Sequence, residues 1–129
     1  MSLRNNMGSI PGGRLGERAA MPRANAAQAL PDLPASVFTH LGPMPIVRVD
    51  VVDELNNRGE CDLSHRQIKV LTALAPIVAW QTLGHETAHA IIGDAGLDTV
   101  LTNKQTELLC DAFGTWIAAA VASGAVVLR

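Results

Sequence analysis

Ala79-Trp80-Gln81-Thr82-Leu83-Gly84-His85-Glu86-Thr87-Ala88-His89-Ala90-Ile91-Ile92 is the stretch on which the reading of this chain turns. It contains His-Glu-x-x-His, and the spacing carries the meaning. Residues four apart on an α-helix lie one turn apart on the same face, so His85 and His89 point the same way. Two imidazoles so placed can ligate one Zn²⁺, and Glu86 beside them can serve as general base towards a water. The flanks support a helix. Pro76 suits a first helical position, where its missing N–H costs nothing. Ile77, Trp80, Leu83, Thr87 and Ile91 recur at helical steps and form an apolar stripe beside the histidines. Gly93 and Gly96 supply a stop.

Ahead of this helix, Ile46–Val51 alternates apolar and polar residues, as a strand with one buried face does. Glu60–Leu63 is a second strand and Arg66–Leu71 a third, joined through Ser64-His65 as a hairpin. The expected fold is therefore α+β: a three-stranded sheet, then the motif helix, then a second packed helix. Residues 1–35 are rich in Gly, Ala, Pro, Arg and Asn and read as a flexible N-terminal tail, with residues 36–129 as the domain. A short helix is expected over Pro34–Leu41, closing at Gly42-Pro43. After the motif, Asp94–Leu101 reads as a loop. Thr102 or Asn103 then caps a helix over Lys104–Ala122, and Val121–Leu128 is its end rather than a membrane segment.

The 129 residues make one small domain. A formal net charge of −2 gives no electrostatic case for nucleic acid. Cys61 and Cys110 are too few for a disulfide framework, which, without a secretion signal, points to a cytoplasmic protein. No apolar run reaches the roughly 18 residues that span a bilayer.

A catalytic zinc needs a third protein ligand and an open position. Downstream of His89 the chain has no further histidine, which excludes the metzincin layout. Asp94, Asp98, Glu107, Cys110 and Asp111 are the candidates. Asp94 sits too close along the same helix to swing over easily. Glu107 lies on a separate helix, far enough on for a loop and a return. Asp111, one turn later, is placed to accept a hydrogen bond from the other ring nitrogen of a ligand histidine. Like charges at this spacing repel unless a cation lies near, so the pair itself speaks for a metal. Cys110 reads as a small buried side chain. The oxyanion of an acyl-transfer step also needs a donor. With no tyrosine in the chain, His65 and Arg66 are the stand-ins, and His40 a remoter one.

His-Glu-x-x-His followed by Glu-x-x-x-Asp on a second helix resembles the gluzincin arrangement. Glu107-Leu-Leu-Cys-Asp111-Ala-Phe113-Gly114 is similar to a stretch of ImmA/IrrE-type metallopeptidases. Gly59-Glu-Cys-Asp62-Leu-Ser-His-Arg66-Gln-Ile68-Lys-Val70 is similar to the strand pair of small phage and prophage relatives. The resemblance covers about residues 46–116. It implies a zincin-like fold, His85, His89 and Glu107 as zinc ligands, Glu86 as base and Asp111 behind a ligand. The implied activity is hydrolysis of a protein or peptide substrate. Cys110 departs from the usual Ala, and Thr87-Ala88 from Leu-Gly. The competing expectation is a non-catalytic module in which zinc holds two helices together. Glu86 separates the two, because a structural site has no use for an acid/base group beside its ligand.

Overall fold

A computed structural model describes residues 30–52 and 57–125. The elements are β1 (Ser36–Thr39), β2 (Gly42–Val49), β3 (Gly59–Asp62), β4 (Gln67–Leu71), α1 (Pro76–Asp94), a 3₁₀ turn (Leu97–Thr99) and α2 (Asn103–Ala122). The class is α+β, with a four-stranded rather than three-stranded sheet in the order β1-β2-β4-β3. β3 and β4 form the expected antiparallel hairpin, with Gly59 opposite Val70 and Cys61 opposite Ile68. β2 runs parallel to β4, Ile46 beside Ile68 and Arg48 beside Val70, which makes the sheet mixed.

The expected helix over Pro34–Leu41 is instead strand β1, paired with β2 in a hairpin. Val37, Phe38 and Thr39 favour a pleated backbone, and His40-Leu41 turns the chain into Gly42, whose φ of 122° suits glycine. β2 starts earlier than the expected Ile46–Val51 strand and ends at Val49. Pro43 and Pro45 disguise its first half, because a strand seldom tolerates residues without an N–H. They fall opposite Phe38 and Ser36. Leu30 and Leu33, at the end of the stretch read as a tail, pack against the core, and Trp80 Nε1 donates to the Pro31 carbonyl at 2.8 Å. The rest of that stretch, 1–29, lies outside the described residues.

α1 begins at Pro76 with no side-chain cap, and α2 opens on a capping box: Thr102 Oγ1 accepts from the Gln105 N–H, and Gln105 Oε1 from the Thr102 N–H. Met44, Ile68 and Val70 of the sheet bury against Ala79, Trp80, Leu83 and Ala90 of α1 and Ala118 and Val121 of α2. Of the anticipated stripe, Trp80, Leu83 and Thr87 are buried, whereas Ile77 and Ile91 stay 40% and 42% exposed. Gly93 is not the stop. It lies inside α1, where a Cβ would come within 2.5 Å of Leu63 Cδ1. The chain leaves the helix at Ala95 and Gly96, the latter at φ 74°.

Asp94, the last residue of α1, ties three elements together. Its carboxylate accepts from Arg66 Nη1 at 2.7 and 2.9 Å and from the Thr39 hydroxyl. Those donors, Thr39 first and then Arg66, hold the carboxyl below its usual range. The side chain is only 5% exposed, so removing Arg66 strands a buried charge. Arg66→Ala should cost on the order of 1–3 kcal/mol in a denaturant melt. Arg66→Gly should cost less, because φ at this position is 54° and glycine adopts that conformation freely. Equal losses would mean that backbone strain contributes nothing here.

Candidate metal centre

The centre is built where α1 and α2 cross. Gly84 and Gly114 meet at the crossing. A Cβ on Gly114 would lie 2.5 Å from the Gln81 carbonyl oxygen and 3.1 Å from the His85 nitrogen. A Cβ on Gly84 would lie 2.8 Å from the Gly114 Cα and run into an Ile117 methyl. Two glycines thus let the backbones approach closely and bring the acidic turn of α2 over the histidines of α1.

There the side chains converge. His89 Nε2 lies 2.8 Å from Glu107 Oε2, and His85 Nε2 lies 3.4 Å from Glu107 Oε1. The two rings are 4.9 Å apart between centroids, inclined at 59°. The opposite nitrogen of His85, Nδ1, meets Asp111 Oδ1 at 2.8 Å. Both Nε2 atoms thus address one carboxylate, and a second carboxylate takes the back of one ring. Donor atoms of His85, Glu86 and His89 all lie within 4.8 Å of one another, and so do those of His85, Glu107 and Asp111. The His85-Glu86-His89 group could hold a metal ion.

Glu86 is buried, covered from the sheet side by β3. A Cβ on Gly59 would be 3.3 Å from Glu86 Cγ, and the Cys61 backbone N–H donates to the carboxylate. Burial pushes the Glu86 carboxyl up to about 7. Positive charge on His85 opposes that, and the negative charges of Glu107 and Glu60 add to it. Burial also lowers the pKa of His89, against the pull of Glu107, which favours the neutral imidazole that a metal requires. Cys61 and Cys110 are pushed up to about 12, chiefly by burial and then by Glu86 and Glu107 respectively. Both therefore stay protonated thiols, and Cys110 fits the small buried side chain expected of it.

A cleft of about 1130 Å³ opens in front of these groups, with β3 and its approach on one side and α1 and α2 on the other. His85, Glu86, His89, Glu107 and Asp111 all line it. His65 and Arg66 do not. His65 Nδ1 lies 2.9 Å from Asp62 Oδ2 and the side chain is 74% exposed. Ser64 first and then His65 hold the Asp62 carboxyl down to about 2. Arg66 is engaged with Asp94, as described. Arg58 is the arginine that lines the cleft. The sequence gives no sign of Arg58 in the cleft, and the close backbone approaches at Gly59, Gly84 and Gly114 are not among its expectations. Glycine in the middle of a helix costs about 1 kcal/mol relative to alanine, so Gly84 and Gly114 carried a readable sign of close approach.

The chain matches no protein-family model, and comparison with curated proteins gives no match. No helix among the described residues is long and apolar enough to cross a membrane.

Proposed function

We propose that the protein is a zinc-dependent peptidase of gluzincin type, similar in its chemistry to the ImmA/IrrE-like peptidases. One observation carries this reading: Nε2 of both His85 and His89 faces the Glu107 carboxylate while Asp111 backs His85. Two imidazoles and one carboxylate match the donor set of a catalytic zinc site, and the cleft leaves room for a further position. Bound there, zinc would polarise a scissile carbonyl and lower the pKa of a water.

The chain's own groups do the rest. Glu107 and the histidines hold the cation. Asp111 accepts the Nδ1 proton of His85, which fixes the tautomer that leaves Nε2 free to ligate. Glu86, buried and poised near neutrality, accepts the proton of the attacking water and returns it to the leaving amine. β3 is an edge strand beside the cleft, and an extended peptide pairs with such an edge through its main chain.

The purified protein should contain one zinc per chain, and a peptide-library digest should show cleavage that a chelator abolishes and zinc restores. Absence of both metal uptake and cleavage would overturn the reading. Metal uptake without cleavage would favour the zinc-held binding module. Asp111→Ala should keep the ligand set but weaken zinc affinity by about 10–100-fold, measured by competition with a chromogenic chelator. An unchanged affinity would show that the contact to His85 does not orient the ring.

A further inference from the structure

Among the described residues, exposed apolar side chains such as Phe38 in β1, Val51 after β2 and Val100 after the 3₁₀ turn lie apart in the sequence. α2 is different. At 100° per residue, the line facing away from its buried side runs through Gln105, Leu108, Leu109, Ala112, Trp116 and Ala119. All six are exposed. Leu108, Leu109 and Trp116 remain 60%, 52% and 59% accessible. The charged residues of α2 are Lys104, Glu107 and Asp111, none of them on this line, and the two acids are turned towards the histidines. A helix face meant for water carries charges along its outermost line. This one carries leucine, alanine and tryptophan.

We infer that this face of α2 is the interface of a symmetric dimer, in which α2 crosses α2 of a second copy antiparallel with Ala112 at the twofold axis. The order of side-chain sizes identifies the occupant. Leu108 and Trp116 lie one turn to either side of Ala112, a large–small–large order that reads the same in either direction, so a second copy running antiparallel meets it in register. Antiparallel pairing about Ala112 sets Leu108 of one copy against Trp116 of the other and lets the two helices approach at the alanines. Such self-matching is what an isologous contact requires.

The area also suffices. With roughly 150–250 Å² per large side chain, the exposed parts of Leu108, Leu109 and Trp116 amount to roughly 300–400 Å² per copy. Two copies give roughly 600–800 Å² from these three residues, and full burial of the exposed Gln105, Ala112 and Ala119 as well brings the total towards the roughly 1,000 Å² at which specific interfaces begin. Phe113 stiffens the patch from below, its ring 5.9 Å from that of Trp116. The inference stands independently of the metal and of peptidase activity.

Sedimentation equilibrium of the full chain at about 10–100 µM tests it, with a dimer expected. Ala112→Glu places two carboxylates at the axis and should give a monomer with an unchanged far-UV circular dichroism spectrum, because Ala112 is exposed. Ala112→Cys, compared with the parent chain carrying Cys61 and Cys110, should oxidise rapidly to a covalent dimer. Ala119→Cys should not, because antiparallel pairing separates the two copies of that position by about 20 Å along the helix. If Ala112→Glu fails to fold, the two cysteine variants decide the matter. A monomeric wild type at 100 µM, a dimer that survives Ala112→Glu, or equal crosslinking at positions 112 and 119 would each overturn the inference.

Discussion

Glu86→Gln is expected to retain zinc and the fold while lowering peptide hydrolysis by about 10²–10⁴-fold, the usual contribution of a positioned acid/base group. Gln keeps the shape and the hydrogen bond from the Cys61 N–H but cannot take a proton from water. Equal cleavage by wild type and variant in a peptide-library digest would end the assignment of Glu86 as base. The same variant has a second expected result in the metal-free protein. The Glu86 carboxyl titrates near 7 when folded, against an ordinary value of 4.5. A raised carboxyl favours the fold at pH below its unfolded value, and that advantage disappears as pH rises through the folded value. Above pH 7 the buried charge thus costs on the order of 1–3 kcal/mol, allowing for partial solvation and for coupling to His85. Gln removes that cost. Chelator-treated Glu86→Gln should therefore melt higher than chelator-treated wild type at pH 8, by several degrees, and at the same temperature at pH 4. Identical melting at both pH values would mean that burial does not perturb this carboxyl.

Gly114→Ala is expected to damage the centre without touching any donor. The added Cβ meets backbone, the Gln81 carbonyl oxygen at 2.5 Å and the His85 nitrogen at 3.1 Å. No rotamer change relieves such a contact, so the helices must separate. Overpacking of this kind costs about 1–3 kcal/mol. Glu107 and Asp111 ride on α2 and withdraw together, so zinc affinity should fall by more than the about 10–100-fold expected for Asp111→Ala alone. Thermal melts and chelator competition measure the two effects separately. Wild-type affinity in a folded Gly114→Ala protein would show that the crossing tolerates adjustment without moving the carboxylates.

What could be read from residues alone was whatever is local. His85 and His89 announce their shared face by spacing, Thr102 or Asn103 announces a helix start, and the β3–β4 hairpin follows from a polar turn between apolar runs. Glu107 and Asp111 were reachable because they lie one turn apart on the next helix. What could not be read depends on partners far along the chain. Nothing in Ile46–Val49 says that β2 lies parallel to β4, and nothing in Arg66 says that it reaches Asp94 rather than the cleft. β1 is disguised because Pro34 and Gly42-Pro43 read as breaks around a short helix. In the fold Gly42 and Pro43 belong to β2, where Pro43 lies opposite Phe38 of β1. The raised Glu86 carboxyl was equally hidden, since the burial behind it depends on β3 arriving from another layer, where Gly59 lies against Glu86 Cγ.

That last dependence bears on the order of assembly. His85, His89, Glu107 and Asp111 all lie on two consecutive helices joined by the short segment 95–102, so they can meet through local contacts, and helical hairpins assemble fast. Pairing of strands is the slower event, with hairpins forming in about 1–10 µs against about 0.1–1 µs for a helix. A refolding chain with its helices docked would then present the ligand set while Glu86 was still wet and its carboxyl ordinary. On the proposed function, capture of the cation would precede the arrival of β3, and the base would become poised only when the sheet closed over it. A half-made molecule would hold metal but leave neighbouring chains uncut.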